Sequence, residues 1–220
     1  MIRIEQTEVV GWEAAIRGMR NPMNSWDKSD SRWVADEPGT NYPQLVYEVG
    51  PADLALMKKL VKAGSDHRKF MRFITVSVDI TAPLYWWKEF DTYKVGTVAN
   101  SCSTMHTLHK RDLTIDDFAH EHLTPCNINL LQLTINNIND ARRAYVEAPD
   151  AGVAKEDWYQ MIQLLPSSFL QKRTVEMNYE VLANMYYYRK YHKLDEWRIF
   201  CEWVENLPYS AILIRDEDDV

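Results

Sequence analysis

The feature that most constrains the fold is a strand that runs directly into a helix between residues 74 and 90. Apolar and polar residues alternate from Ile74 to Ile80, and a period of two is typical of a half-buried strand. Pro83 suits the first turn of a helix, where its missing N–H costs nothing. Apolar residues then recur at helical spacing, at Leu84, Trp86, Trp87 and Phe90. The sequence therefore predicts a strand followed at once by an amphipathic helix.

The stretch after Tyr93 has a different character. Residues 95–106 carry no helical apolar stripe and are rich in Gly, Thr, Asn, Ser and Cys. Such a stretch has many hydrogen-bonding groups and little apolar surface to bury, so it either turns or binds a ligand. We therefore interpret residues 95–106 as a loop and as the first candidate for a binding site.

Apolar periodicity and breaker residues predict the other elements. Helices are expected over 12–19, 51–63, 112–118, 129–148, 155–165, 176–191 and 194–207. Strands are expected over 2–10 and, as a candidate, 44–49, and residues 172–174 are interpreted as a basic link. The polar connection 20–50 is either a lid or a surface loop, and the tail 215–220 is acidic. This pattern predicts an α+β fold, with a mixed sheet packed against several helices in a single domain over 1–220.

Composition excludes several classes of partner. The net charge of −7 and the pI near 5.4 argue against binding to nucleic acid or to an acidic membrane, although one local basic pocket for a small anion remains compatible with them. Three cysteines, an odd and small number, fit a reducing compartment better than a disulfide scaffold. No apolar run is long enough to span a bilayer, and the first residues lack a signal-peptide core. We therefore expect a cytoplasmic protein.

Few residues indicate a catalytic or metal site by themselves. Ser101-Cys102-Ser103 lacks the Gly-x-Ser-x-Gly context of a nucleophile elbow, and Cys102 is interpreted as an ordinary small residue rather than a reactive thiol. His106, His109, His120, His122 and Cys126 lie close in sequence, but no Cys-x-x-Cys pair accompanies them. We predict no metal site.

The helix predicted over 176–191 places two polar residues on one face. Asn178 and Arg189 are eleven residues apart, which corresponds to three helical turns. An inward-facing arginine needs an acidic partner or an anionic ligand. Spacing alone favours an ion pair with Asp195 or Glu196, and an anionic ligand is the alternative.

Several short segments, taken in order, resemble the flavin-dependent thymidylate synthases over residues 51–207. His67 and Phe70 before the strand resemble that family's E-H-x-x-F-T-F segment, and Ile80 to Pro83 before a helix with Lys88 is similar to the segment preceding its signature. The run YKVGTVANSCSTMH at 93–106 corresponds to the signature R-H-R-x-x-S-x-N-E-x-S-x-R-Y. Further similar segments are Leu165-Pro166, Met177-Asn178 through Tyr188-Arg189, and Asp195-Glu196-Trp197.

The signature departs from the family pattern, and two registers are open. Aligning its Asn and second Ser on Asn100 and Ser103 places Ser101 at the glutamate, Tyr93-Lys94-Val95 at R-H-R, and Met105-His106 at R-Y. A shift of one residue instead matches Thr97 to the first serine and Lys94 to the last arginine of R-H-R. The family's N-x-R is Asn178-Tyr179-Glu180 here, and residues 161–163 before Leu165 lack its phosphate-binding arginine.

The resemblance implies a function. The family methylates dUMP to dTMP with FAD, methylenetetrahydrofolate and NADPH, in a homotetramer. For this chain it implies catalytic roles for Ser103 and Arg189, which also contact the substrate together with Lys88 and Ser101. It implies FAD contacts for His67, Lys94, Asn100, Asn178 and Asn184. The alternative, favoured by the eroded signature, is a family-fold protein without the chemistry that binds a nucleotide or another protein.

Overall fold

The computed structural model of the protein describes residues 1–36 and 44–214. Two parts of the predicted organisation lie outside the described residues. They are residues 37–43 of the predicted lid at 20–50 and the predicted acidic tail at 215–220. The chain divides into two compact units. The first comprises residues 1–5, 79–92 and 99–175, and the second comprises residues 6–78, 93–98 and 176–220. The single-domain organisation stays a prediction.

Six strands form two sheets within the described residues. They are β1 (Arg3–Val10), β2 (Arg32–Ala35), β3 (Leu45–Glu48), β4 (Thr75–Pro83), β5 (Thr97–Ser101) and β6 (Leu170–Asn178). The larger sheet has the strand order β1-β4-β6-β5, and β2 pairs with β3 as an antiparallel hairpin. In the hairpin, Trp33 lies opposite Tyr47 with ring centroids 5.2 Å apart.

Eight α-helices lie in the described residues. They are α1 (Trp12–Arg20), α2 (Pro51–Lys62), α3 (Leu84–Phe90), α4 (Thr104–Thr107), α5 (Pro125–Glu147), α6 (Ala151–Leu164), α7 (Tyr179–Arg189) and α8 (Asp195–Glu205). The α+β class predicted from sequence is confirmed. No described helix is both long and apolar enough to cross a bilayer.

The strand-to-helix stretch folds as its pattern predicts. The side chains of Ile74, Val76, Val78 and Ile80 are at most 1% exposed, and they alternate with half-buried polar residues. Pro83 ends β4 and is the N-cap of α3, whose Trp86, Trp87 and Phe90 are buried. This burial of four strand residues and three aromatic rings makes the stretch a centre of the apolar core.

In the first unit, α5 and α6 pack along each other. Thr124 caps α5 by accepting the Asn127 N–H, and Asp150 caps α6 by accepting the N–H groups of Gly152 and Val153. The buried residues of this pair and of the segment before it form one cluster: Leu108, Leu113, Phe118, Leu131, Ile135, Ile138, Ala141 and Met161.

The second unit is anchored by a buried ion pair. Asp53 on α2 is fully buried and accepts a hydrogen bond from Arg20 Nε at 2.6 Å. The hydroxyls of Ser29 and Ser31 also donate to Asp53 Oδ2, at 2.7 and 2.6 Å. These contacts fix the first part of the 20–50 connection to α2, so residues 20–31 are held against the unit.

Four sequence predictions need correction. The helix predicted over 112–118 is a 3-10 helix of only three residues, Ile115–Asp117. The predicted loop at 95–106 contains β5 and α4, and the predicted basic link at 172–174 lies inside β6. The helix predicted from residue 176 begins at Tyr179, because residues 176–178 belong to β6. Backbone pairing between β5 and β6 forms these strands, and their side chains carry little apolar alternation that would indicate it.

Candidate functional site

Arg189, at the end of α7, is held by aromatic rings in the second unit. Its Nε donates a hydrogen bond to the Tyr93 hydroxyl at 2.9 Å. Its guanidinium carbon lies 4.7 Å from the Trp197 ring centroid and 5.5 Å from the Tyr93 ring centroid. Cation–π contact and the hydrogen bond fix the plane of the guanidinium. A fixed, half-buried guanidinium matches the geometry of a phosphate or carboxylate.

The nearby thiol of Cys201 is chemically inert. Cys201 is buried on α8, and burial raises the pKa of its thiol to about 12. The Glu205 carboxylate contributes to this increase, while the Arg189 cation opposes it. Because the thiolate is the reactive form, Cys201 contributes packing rather than chemistry.

Asn178 serves as the N-cap of α7. Its Oδ1 accepts the Val181 N–H at 3.0 Å. Gly96 has a φ of +78°, and a Cβ at that position would lie 2.9 Å from the Val181 side chain and 3.1 Å from Asn178 Nδ2. The chain therefore needs glycine at 96 for both its backbone angle and its close approach to α7. The Asn178 side chain, which the resemblance implied for FAD, is engaged in this local packing.

Residues 99–106 of the signature stretch belong to the first unit. Asn100 and Ser101 are exposed on β5, and the Cys102 N–H donates to the Lys172 carbonyl at 2.9 Å. Ser103 is half-buried and precedes α4, and its carbonyl accepts the Thr107 hydroxyl at 2.7 Å. The backbone on both sides of Ser103 is therefore held by hydrogen bonds.

A chain of side chains on β6 and α3 supports this stretch. Buried Gln171 donates from Nε2 to the Cys102 carbonyl at 3.0 Å, and its Oε1 accepts Arg173 Nε at 3.0 Å. Arg173 lies 4.2 Å over the Trp87 ring and pairs with Asp91 at 2.7 Å. The sequence analysis missed this network because the basic residues 172–174 favour a link. The only alternation visible in the sequence of β6 is Val175 and Met177 between polar residues.

The other residues implied by the resemblance are exposed side chains. In the second unit these are His67, Lys94 and Asn184, and in the first unit Lys88. The second unit thus holds five of the implied residues: His67, Lys94, Asn178, Asn184 and Arg189. The first unit holds the other four: Lys88, Asn100, Ser101 and Ser103. Among described residues, no group of three or more His, Cys, Asp or Glu side chains is arranged to hold a metal ion.

An ion pair that the sequence did not reveal lies beside His67. Arg68 Nε is 3.0 Å from both carboxylate oxygens of Glu180, and one Nη is 2.9 Å from Oε1. In the resemblance described above, Glu180 stands at the arginine of the family's N-x-R. Here that position carries the opposite charge, and the Arg68 cation neutralises it.

Comparison with known proteins gives a match of structure and none of sequence. No family model and no curated protein sequence matches the chain. The fold is similar to that of the flavin-dependent thymidylate synthase ThyX from Helicobacter pylori complexed with FAD and dUMP, with a TM-score of 0.66 and 14% identity over 99% of each chain. A second structure of ThyX from this organism with FAD and dUMP has the same TM-score and identity, over 100% of this chain and 99% of that one.

The chain has the fold of the flavin-dependent thymidylate synthases. A UMP/dUMP methylase, PolB from Streptomyces cacaoi bound with 5-Br dUMP, is also similar, with a TM-score of 0.57 and 12% identity over 97% of this chain and 94% of that one. The thymidylate synthase fold that the resemblance implied is therefore confirmed, and at these identities the likeness concerns the fold alone.

FAD is bound in both ThyX structures, and the donors of this chain decide whether it fits here. The FAD diphosphate and ribityl hydroxyls need N–H donors or cations. His67, Lys94 and Asn184 offer such groups at the surface of the second unit. The Glu180 carboxylate would oppose a diphosphate, but Arg68 neutralises it. These three side chains supply donors of the kind that FAD needs, whereas the Asn178 oxygen is already engaged.

Proposed function

We propose that the chain is a flavin-dependent thymidylate synthase-like methyltransferase. It converts dUMP to dTMP with FAD, methylenetetrahydrofolate and NADPH, or carries out a related reaction on another pyrimidine nucleotide. The observation that carries this proposal is the fold likeness over 99% of both chains to an enzyme complexed with FAD and dUMP. A neighbour bound with a brominated dUMP supports the same class of substrate. Because fold alone does not determine function, the residues of this chain must supply the rest.

The proposed roles follow from the chemistry of the side chains. FAD, when bound, supplies the hydride for the reaction. Arg189 clamps an oxyanion of the nucleotide, and its stacking on Trp197 lowers the cost of ordering the guanidinium on binding. Ser103 acts near the uracil, on a backbone held by Thr107 and by Gln171 through Cys102.

The remaining contacts divide between substrate and cofactor. Lys88 and Ser101 contact the substrate. His67, Lys94, Asn100 and Asn184 contact FAD, and Asn178 acts by fixing the start of α7. We propose a homotetramer in the cytoplasm, as the resemblance implies.

The second candidate is a nucleotide-binding or protein-interaction module that has lost the reaction. The Arg68–Glu180 pair favours this second candidate, because the positive charge of Arg68 is neutralised by Glu180 of the same chain. Each lost charge-assisted hydrogen bond to a nucleotide costs about 1.5–3 kcal/mol. Several such losses would weaken substrate binding enough to abolish turnover at low nucleotide concentration.

Absorption spectroscopy of the purified protein distinguishes the two candidates. Bound flavin absorbs at about 450 nm, which is a property of the cofactor itself. The proposal predicts that added FAD binds with a shifted or quenched band and that dUMP perturbs this band. A colourless protein that leaves the spectrum of added FAD unchanged would exclude the flavin-dependent reaction and favour the module.

A further inference from the structure

A cavity of about 520 Å³ in the first unit concentrates positive charge. Four cationic side chains line it: Arg3, Lys110, Arg111 and Lys172. A cavity of this size holds a small molecule. In a chain with a net charge of −7, four cations around one cavity create a local field that differs in sign from the protein as a whole.

Two of these cations are already paired. Arg111 Nη1 donates to Asp117 Oδ2 at 2.8 Å, and Lys172 Nζ lies 2.9 Å from Asp79 Oδ2. For Arg3 and Lys110, by contrast, the described part of the chain provides neither an ion pair nor a hydrogen bond to the side chain. An exposed cation without a carboxylate partner keeps its full charge for a ligand.

The rest of the lining limits the ligand further. Hydroxyls of Thr81, Thr104 and Thr107 add donors, while Leu108 and Phe169 add apolar surface. The Asp116 carboxylate is the one negative lining group besides the paired Asp117. This combination suits a ligand that carries a compact anion on a partly apolar body, rather than an inorganic anion alone.

We propose that this cavity binds the phosphate of a phosphomonoester such as a mononucleotide, with Arg3 and Lys110 as its cationic contacts. None of its lining cations is among the residues that the resemblance implied. The inference goes beyond the proposed function, because it assigns a phosphate site that requires neither FAD nor turnover. The site is assigned in addition to the oxyanion contact proposed for Arg189, which belongs to the second unit.

Isothermal titration of the full chain tests this site with three probes: dUMP, deoxyuridine and inorganic phosphate. We expect dUMP to bind and deoxyuridine, which lacks the phosphate, to bind at least about tenfold more weakly. Arg3→Ala and Lys110→Ala should each weaken dUMP binding by about tenfold or more. Asp116→Asn should tighten it, because the substitution removes a negative charge from the cavity wall.

Lys155→Ala is the matched control. It removes one exposed cation from the same unit but outside the cavity, so dUMP affinity should stay unchanged. Inorganic phosphate should compete with dUMP in the wild type but not in Lys110→Ala. The inference is overturned if Arg3→Ala and Lys110→Ala both bind dUMP like the wild type, or if Lys155→Ala weakens dUMP binding equally. It is also overturned if the wild type binds neither dUMP nor inorganic phosphate. Inorganic phosphate that binds as tightly as dUMP would overturn the assignment to a phosphomonoester.

Discussion

Arg68 and Glu180 form a bidentate ion pair between residues 112 positions apart in the sequence, with Arg68 Nε 3.0 Å from each carboxylate oxygen. The two side chains are only 12% and 18% exposed. Their pairing joins the segment that follows His67 to the first turn of α7. In the resemblance to the flavin-dependent thymidylate synthases, Glu180 stands at a motif arginine, so one contact contributes to stability and sets the charge of a candidate binding surface.

A double-mutant cycle measures this pair. We expect Arg68→Ala and Glu180→Ala each to lower the free energy of unfolding by about 1–3 kcal/mol, because each leaves a poorly solvated charge behind. The coupling energy should be about 1 kcal/mol, at the upper end for partly exposed pairs. Urea denaturation of the four proteins gives both values, with exposed Arg72→Ala as a control. Strictly additive losses would show that the pair does not contribute as an ion pair.

Arg189 variants separate ligand binding from packing. Arg189→Ala should weaken dUMP binding by about 10- to 100-fold, since it removes a charge-assisted contact. Its loss of stability should be about 1 kcal/mol, from the stacking on Trp197 and Tyr93. Tyr93→Phe is the matched control, because it removes only the hydroxyl that accepts from Nε. Unchanged dUMP affinity together with a large loss of stability in Arg189→Ala would assign this arginine a structural role.

Asp53 should make stability depend on pH in the acidic range. Burial raises the pKa of this carboxyl, but hydrogen bonds from Ser31, Ser29 and Arg20 outweigh burial, so the pKa lies below its usual value. The folded pKa is therefore below the unfolded one. The stabilisation is fully present above the unfolded value of about 3.9, and it is lost as the pH falls through the folded pKa.

Asp53→Asn tests this linkage. At neutral pH it should lower the free energy of unfolding by about 3–5 kcal/mol, because it leaves Arg20 buried without a countercharge. The difference from the wild type should shrink below about pH 4, where Asp53 takes up a proton in the unfolded wild-type chain while the folded chain still resists protonation. Denaturation curves between pH 3 and pH 7 (roughly the range over which Asp titrates) supply the comparison, with exposed Asp66→Asn as the control. A pH-independent difference would contradict the assignment.

The three cysteines should react in two classes. Cys102 and Cys126 are exposed, whereas Cys201 is buried with its pKa raised to about 12. A thiol reagent at mildly alkaline pH should therefore modify two thiols in the native protein and the third after unfolding. Cys102→Ser should leave one thiol reactive in the native protein, and Cys201→Ser should leave two. Three rapidly reacting thiols in the native protein would contradict the burial of Cys201.

Sequence reasoning predicted the elements whose side chains carry a clear period. β4 and α3 were predicted because buried residues from Ile74 to Phe90 follow periods of two and then of three to four. β6 was missed because two of its inward positions are Gln171 and Arg173, whose polar atoms are satisfied by Cys102, Asp91 and Trp87. Polar residues that are buried by specific partners interrupt the apolar pattern on which prediction depends.

The candidate site was predictable only in part for a related reason. The segment order around His67, Ser103 and Arg189 indicated the correct fold, because it follows the order of the family's motifs. The contacts of those residues depend on tertiary structure. Arg68 contacts Glu180, which is 112 positions away, and Arg189 contacts Tyr93, which is 96 positions away. A single sequence carries no local signal for such pairs.

Product formation tests most directly our proposal that this chain methylates a uridylate nucleotide. The purified full chain would be incubated with dUMP, FAD, methylenetetrahydrofolate and NADPH, and dTMP would be quantified by chromatography and mass spectrometry. We expect dTMP to form only when all four compounds are present, and to fall below detection with Arg189→Ala. Absence of dTMP from a folded protein that binds both FAD and dUMP would contradict it.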